Sequence, residues 1–346
     1  MKKIGIIFGG CSSEYEVSLQ SAYSIITHID RMRYEPVLIG ITRKGEWFHY
    51  YGDVENIKED NWYVNDCIPA IISPDRSVKG LVELKDKEIN IIKLDAVFPV
   101  LHGKNGEDGT IQGLITLAGI PIIGCGILSS SLCMDKDRAH KLVRAQGVDT
   151  PEALVFNKGE EIEKMIEATK KLKYPLFVKP VKAGSSFGIS KIYEEGMLYE
   201  AISNSFIYDD EVIIEENVEG FEVGLAILGN DDIIVGEVDE IELTDGFFDF
   251  TEKYTLKSSK IHMPARLDNK MISKIKNIAV LIYRTLGCKG FARVDMFVTP
   301  NGKVVFNEVN TIPGFTSHSR YPNMMKGIGM SYSEILDKLI ELGLEG

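Results

Sequence analysis

Arg293 and Asp295 in RVDMF lie two residues apart, as do Glu308 and Asn310 in FNEVN. Side chains two apart in a strand share a face, and pairing the two strands brings Asp295 beside Glu308 and Asn310. Three hard oxygen donors on a rigid sheet suit Mg²⁺. Arg293, on the face of Asp295, can reach a phosphate held by such an ion. Cross-strand polar pairing on an exposed face is the alternative. Phe306 and Val309, which leave apolar groups on one side and acids on the other, favour the metal.

Three further stretches could carry chemistry. KPVKAGSSFG (179–188) combines glycines, serines and lysines as a phosphate-covering loop does, without the spacing of a P-loop; a flexible hairpin is the alternative. LHGKNGEDGTIQG (101–113) follows an apolar run, where α/β sheets place ligands; a solvated loop with Asp108 capping a helix accounts for Asp108 but not for His102. DDEVIIEENVEGFE (209–222) holds seven acids, of which Glu215 and Glu222 flank a turn and could accept from ribose hydroxyls; a solvated strand edge explains most of the others. Gly9-Gly10 reads as a tight turn, because the dinucleotide fingerprint is missing.

These residues need elements to position them. Strands at 4–8, 35–42 and 96–100 with a helix at 17–29 form a parallel α/β layer. A helix then follows Asp108 and ends at Gly119, and a short strand spans 121–123. The stretch 47–92 reads as irregular. Asp135 starts a helix that stops at Gly147, strands follow at 153–156 and 174–179, and a helix covers 160–172. From 212 onward the alternation predicts antiparallel strands, interrupted by a long polar-aromatic loop at 245–260. A helix at 269–286, a hairpin turning at Asn301-Gly302 and a terminal helix complete the chain. The expected lobes are 1–123, 124–214 and 215–346.

With 346 residues, the chain can bury a sizeable core without disulfides or metal. A formal charge of −12 disfavours nucleic acid. Five scattered cysteines without a C-x-x-C pair read as reduced thiols. The short N-terminal apolar run is no signal peptide, no stretch has membrane-span length, and the expected location is cytoplasmic.

Together IFGGCSSEYEVSL, FPVLHGKNGEDGTIQG, MDKDRAHKL, YPLFVKPVKAGSSFG, EKY, GFARVDMF and NEVNTIPGFTSHSRYP resemble the D-alanine–D-alanine ligase family of the ATP-grasp superfamily. Within it the chain is similar to the VanG-type D-alanine–D-serine ligases of vancomycin resistance. The resemblance implies an ATP-grasp fold: a Rossmann-like N-terminal lobe, a small central lobe and a mainly antiparallel C-terminal lobe. It implies ATP, two Mg²⁺ ions (Mn²⁺ as a substitute), a D-alanyl phosphate intermediate and a cytoplasmic homodimer. The substrates implied are D-alanine and D-serine, with a housekeeping D-alanine–D-alanine ligase as the alternative and a non-catalytic sensor as a more distant one.

Site roles carry over by motif. Glu14 would hold the first ammonium and join Ser185 and Tyr254 in a hydrogen-bonded set that locks the 245–260 loop as a lid. Lys136, Lys179 and Lys253 would grip phosphates; Glu215, Val218 and Glu222 would hold adenosine, and Phe247 would cover the base. Asp295, Glu308 and Asn310 would bind the metal ions, with Arg293 and the Gly314 backbone at the developing oxyanion. His102 would lie near the first substrate and Ser319 would hold the second carboxylate. The lid tyrosine argues against the hydroxyl nucleophile of D-lactate-forming relatives. Arg320 replaces the apolar residue usual in housekeeping ligases and would shape a polar subsite for the serine hydroxyl. A structural arginine paired with an acid is the other reading of Arg320.

Overall fold

The computed structural model describes residues 1–85, 88–184, 187–243 and 259–345. β1 (Lys2–Gly9) pairs in parallel with β2 (Tyr34–Ile41) and β7 (Ala96–Pro99). A strand covered on both faces needs a near-continuous apolar run, and Ile4, Ile6, Ile7 and Phe8 are all buried. The helix Tyr15–His28 follows the glycine turn, as expected.

The stretch read as irregular is instead sheet. β3 (Trp47–Tyr50), β4 (Cys67–Ile72), β5 (Gly80–Leu84) and β6 (Ile89–Lys93) extend it antiparallel, in the order β6-β5-β4-β3-β2-β1-β7. The strands are only four to six residues long, and β6 leaves Ile89 and Ile91 exposed, so burial imposes little alternation on them. A tertiary contact fastens them: fully buried Glu83 accepts from His49 Nδ1 at 2.9 Å, from Asn90 Nδ2 at 2.7 Å and from the Tyr51 hydroxyl. Burial alone would raise this carboxyl; its donors hold it down at about 2. The strand expected at 121–123 reduces to a bridge between Val97 and Ile122.

A second sheet contains β8 (Ala153–Asn157), β9 (Leu176–Pro180), β10 (Ser190–Ile192) and β11 (Glu211–Glu216), all antiparallel, ordered β10-β9-β11-β8. The lobe division drawn at 214/215 falls inside β11. Helix Lys136–Ala145 begins where its cap predicts: Asp135 Oδ1 accepts from Arg138 N at 2.9 Å. A helix at Ile127–Met134, not anticipated, precedes it. Its Cys133 lies 3.6 Å from Cys288, sulfur to sulfur, and both join Cys125, Ala139 and Val143 in the core under the third sheet.

The third sheet is antiparallel, as its alternation predicts, and runs β14-β13-β12-β15-β16. Its strands are β12 (Phe221–Leu228), β13 (Ile234–Leu243), β14 (Ser259–His262), β15 (Phe291–Val298) and β16 (Val304–Asn310). Val223, Leu225 and Ile227 of β12 share a core with Ile275, Ala279 and Ile282 of helix Asn269–Thr285, which therefore covers one face. The intervening residues of β12 point to the opposite face, toward helix Arg320–Gly327. Tyr321 and Met324 of that helix share a core with Ala226 and Leu228.

Candidate active site

The site grows from one cross-strand row of the third sheet. Asp239 of β13 pairs with Gly224 of β12, Gly224 with Asp295 of β15, and Asp295 with Glu308 of β16. Three carboxylates in one row repel, so the fold must bring cations to them. Arg293 donates to Asp295 through Nε (2.9 Å) and Nη2 (2.8 Å). Arg320, at the start of its helix, donates to both oxygens of Asp239 at 2.8 Å and to Glu222 at 2.9 Å, and stands 3.5 Å from Asp295. A Cβ on Gly224 would lie 2.2 Å from Arg320 Nη2, so the glycine makes room for the guanidinium. Burial works to lower both arginines, and their acid neighbours more than offset it.

A register irregularity between Asp295 and Met296 pairs Asp295 with Glu308 but Met296 with Phe306. Under strict alternation Phe306 and Glu308 would share a face. The extra residue, Asn307, separates buried Phe306 from Glu308, as bulges beside active sites commonly do. Asn310 Nδ2 donates to Asp295 at 2.9 Å, which gathers the three oxygen-bearing side chains at one place. This donor set fits a hard divalent cation, with Asp295 the most enclosed of the three.

Two cavities meet here. One, of about 230 Å³, is lined by Glu14, His102 and Arg293, and by Gly314, Ser319 and Arg320. The other, of about 470 Å³, is lined by Lys179, Glu215, Val218 and Glu222, with Phe177, Phe221 and Phe297 supplying apolar wall. Lys136 and Glu308 line both. The larger cavity fits a nucleotide: Lys179 pairs with Glu215 Oε1, while buried Glu215 Oε2 has no hydrogen-bond partner among the described residues and can accept from a ligand. Ser185, Phe247, Lys253 and Tyr254 lie outside the described residues, as does most of the 245–260 loop.

His102 lines the smaller cavity, with both nitrogens engaged. Nδ1 donates to the Ile312 carbonyl at 2.8 Å, and Nε2 stands 3.2 Å from the Ser21 hydroxyl. Burial pushes the imidazole down to about 4. An unfolded histidine takes its proton near 6.5, so acid favours unfolding as pH falls from 6.5 toward 4, by about 3 kcal/mol for this group. Glu107 works the other way. Burial and nearby Glu14 push it up to about 8, so its contribution is lost as pH rises from 4.5 toward 8. We expect the His102 ring proton signals to stay flat between pH 8 and 5 in an NMR titration; a midpoint above 6 contradicts the burial account.

Glu107 and Asp239 escape the sequence reading. Glu107 stands among the glycines of LHGKNGEDGTIQG, where Asp108 and His102 draw attention first. Asp239 is one acid in an alternating strand, and only its pairing with Gly224 and Arg320 singles it out.

Residues 3–125 match the family described as D-ala D-ala ligase N-terminus, and residues 142–341 match D-ala D-ala ligase C-terminus. The chain belongs to the D-alanine–D-alanine ligase family. It is an ATP-dependent ligase of ATP-grasp fold. The crystal structure of VanG D-Ala:D-Ser ligase from Enterococcus faecalis superposes with a TM-score of 0.92 at 59% identity, covering 99% of each chain. A D-alanine–D-alanine ligase of Caldicellulosiruptor bescii is 45% identical over 99% of this chain and 95% of its own. The vancomycin/teicoplanin A-type resistance protein VanA of Enterococcus faecium is 44% identical over 99% of both chains. The chain thus shares its scaffold with a solved member of the family. Among the described residues no helix is long and apolar enough to cross a membrane.

Proposed function

We propose that this ligase joins D-alanine to D-serine. The observation that carries the reading is the place of Arg320: the residue lines the smaller cavity beside Ser319 and Gly314, with its guanidinium held by Asp239 and Glu222. A fixed donor fork at the cavity wall favours a hydroxyl-bearing side chain over a methyl. The VanG enzyme described above, with its D-Ser activity and 59% identity, supports the same choice. The acid pairs make Arg320 the structural arginine of the second reading, and the subsite role is proposed beside it.

Bound MgATP supplies the phosphoryl group that activates the D-alanine carboxylate. Within the protein, Glu14 holds the D-alanine ammonium in the smaller cavity. Lys136 and Lys179 draw the phosphates toward the boundary between the cavities, and Glu215, Val218 and Glu222 hold the nucleoside. Asp295, Glu308 and Asn310 would carry two Mg²⁺ ions there. Arg293 and the Gly314 N–H stabilise the oxyanion formed when the D-serine amine attacks the carbonyl of D-alanyl phosphate; the C–O bond then breaks, inorganic phosphate and the amine proton leave, and Ser319 receives the D-serine carboxylate. Positioning and charge neutralisation account for such a transfer without protein nucleophiles.

Steady-state phosphate release at pH 7 to 8, with D-alanine saturating, tests the specificity. Expected is a kcat/KM for D-serine about tenfold or more above that for D-alanine as second substrate. A preference for D-alanine overturns the proposal and leaves the housekeeping reading.

A further inference from the structure

Ile312 is gripped by its peptide groups on both sides. Its N–H donates to Glu107 Oε1 at 3.0 Å, and its carbonyl accepts from His102 Nδ1 at 2.8 Å, across 205 and 210 residues of sequence. Glu107 Oε2 accepts from Gly103 N–H at 2.8 Å, which closes the 103–107 turn on itself. Gly103 lies against Glu14: a Cβ there would come within 2.4 Å of Glu14 Oε2. Three residues beyond Ile312, the Phe315 N–H donates to Ser21 Oγ at 3.2 Å, and the same hydroxyl stands 3.2 Å from His102 Nε2. Pro313 and Gly314 lie between these anchors, just after Glu308 and Asn310. A loop leaving the third sheet is thus fastened at three points to the first.

Glu107 is costly to keep inside, because burial and Glu14 both oppose its charge. Packing alone would be served by an apolar side chain. What a carboxyl group offers, charged or protonated, is two oxygens for two backbone N–H groups at a fixed separation.

We propose that Glu107 is a positioning residue of the ligase reaction: with His102 and Ser21 it clamps the 312–315 backbone and so sets the Gly314 N–H against the Arg293 guanidinium. The inference rests on the oxyanion role proposed for that N–H. Donors to a developing oxyanion act only within a few tenths of an ångström of their place, and a displacement of about 1 Å costs about a hundredfold in rate. The clamp also reassigns His102: its two nitrogens hold backbone and Ser21, so it acts on substrate through the loop.

Glu107→Gln tests this, since the amide keeps one acceptor and turns an NH₂ toward the other N–H. Expected is a fall in kcat of about ten- to a hundredfold, with KM for ATP and D-alanine within about threefold and ADP affinity by calorimetry unchanged. Ser21→Ala, on a different element, should lower kcat with the same split. The double variant should fall short of the product of the two, because both act on one loop. All rates are taken with D-serine and with D-alanine as second substrate. A D-alanine preference of the parent enzyme sinks the specificity reading yet leaves the Glu107 effect measurable. Glu107→Gln within twofold of the parent on both substrates overturns the clamp, as does an ADP affinity that falls in step with kcat. Should Glu107→Gln not fold, the Ser21→Ala result decides: unchanged kcat overturns the clamp and the split kcat loss upholds it.

Discussion

Glu308→Gln lowers kcat by about three orders of magnitude and leaves the protein folded. Glu308 lines both cavities, so a charge lost there is lost at the boundary where the proposal brings nucleotide and amino acid together. It also pairs in register with Asp295, whose carboxylate is already engaged by Arg293 and Asn310. Glu308 would therefore add its charge to a divalent cation held at that boundary. Charge stabilisation by such an ion is worth several kcal/mol in the transition state, and about 4 kcal/mol is about a thousandfold in rate. The substitution is isosteric and partly exposed, so unfolding free energy should move by about 0.5 kcal/mol or less. Urea unfolding reads the second quantity and single-turnover phosphate release the first. Calorimetry with ADP should also show a weaker dependence on Mg²⁺. Near-normal turnover in a folded variant removes Glu308 from the metal site.

Arg320→Met destabilises the protein by about 3–5 kcal/mol, the cost of leaving buried acids without their cation. Arg320 is 8% exposed at its side chain and Asp239 1%. Removing the guanidinium takes from buried Asp239 its cation, and removes a positive charge beside Glu222 and Asp295. Methionine fills the volume without the fork. Urea titration should show the midpoint falling, while Arg320→Met combined with Asp239→Asn recovers part of the loss, because the pair is worth less than the penalty of breaking it. The same variant should lose its preference for D-serine, if Arg320 shapes that subsite. A stability unchanged within about 1 kcal/mol contradicts the buried-pair account.

The elements that bear the site were largely legible. Val223, Leu225 and Ile227 alternate with polar or small neighbours, so the antiparallel third sheet and its two faces follow from pattern alone. Asp135 announces its helix by capping it. Motif blocks in order along the chain placed it among the ligases before any geometry was known. The stretch 47–92 stayed hidden because its strands are short and fastened by Glu83, a contact made across the sheet.

Residue types and spacing were enough for the family, the antiparallel alternation of the third sheet, and the inventory of acids, lysines and arginines that phosphoryl transfer requires; the strand Ser259–His262 and the helix Arg320–Gly327 were not among them. Local periodicity and side-chain chemistry are properties of neighbouring residues, so a linear reading reaches them. Only the tertiary structure decided which charges neutralise which. Arg320 is paired to Asp239 across 81 residues, and Ile312 is held by Glu107 and His102 from the loop that follows β7. The bulge at Asn307 that turns Glu308 away from Phe306 depends equally on the partner strand. Those pairings arise because buried charge and backbone polarity must find partners wherever the fold brings them, and that place is not written in sequence spacing.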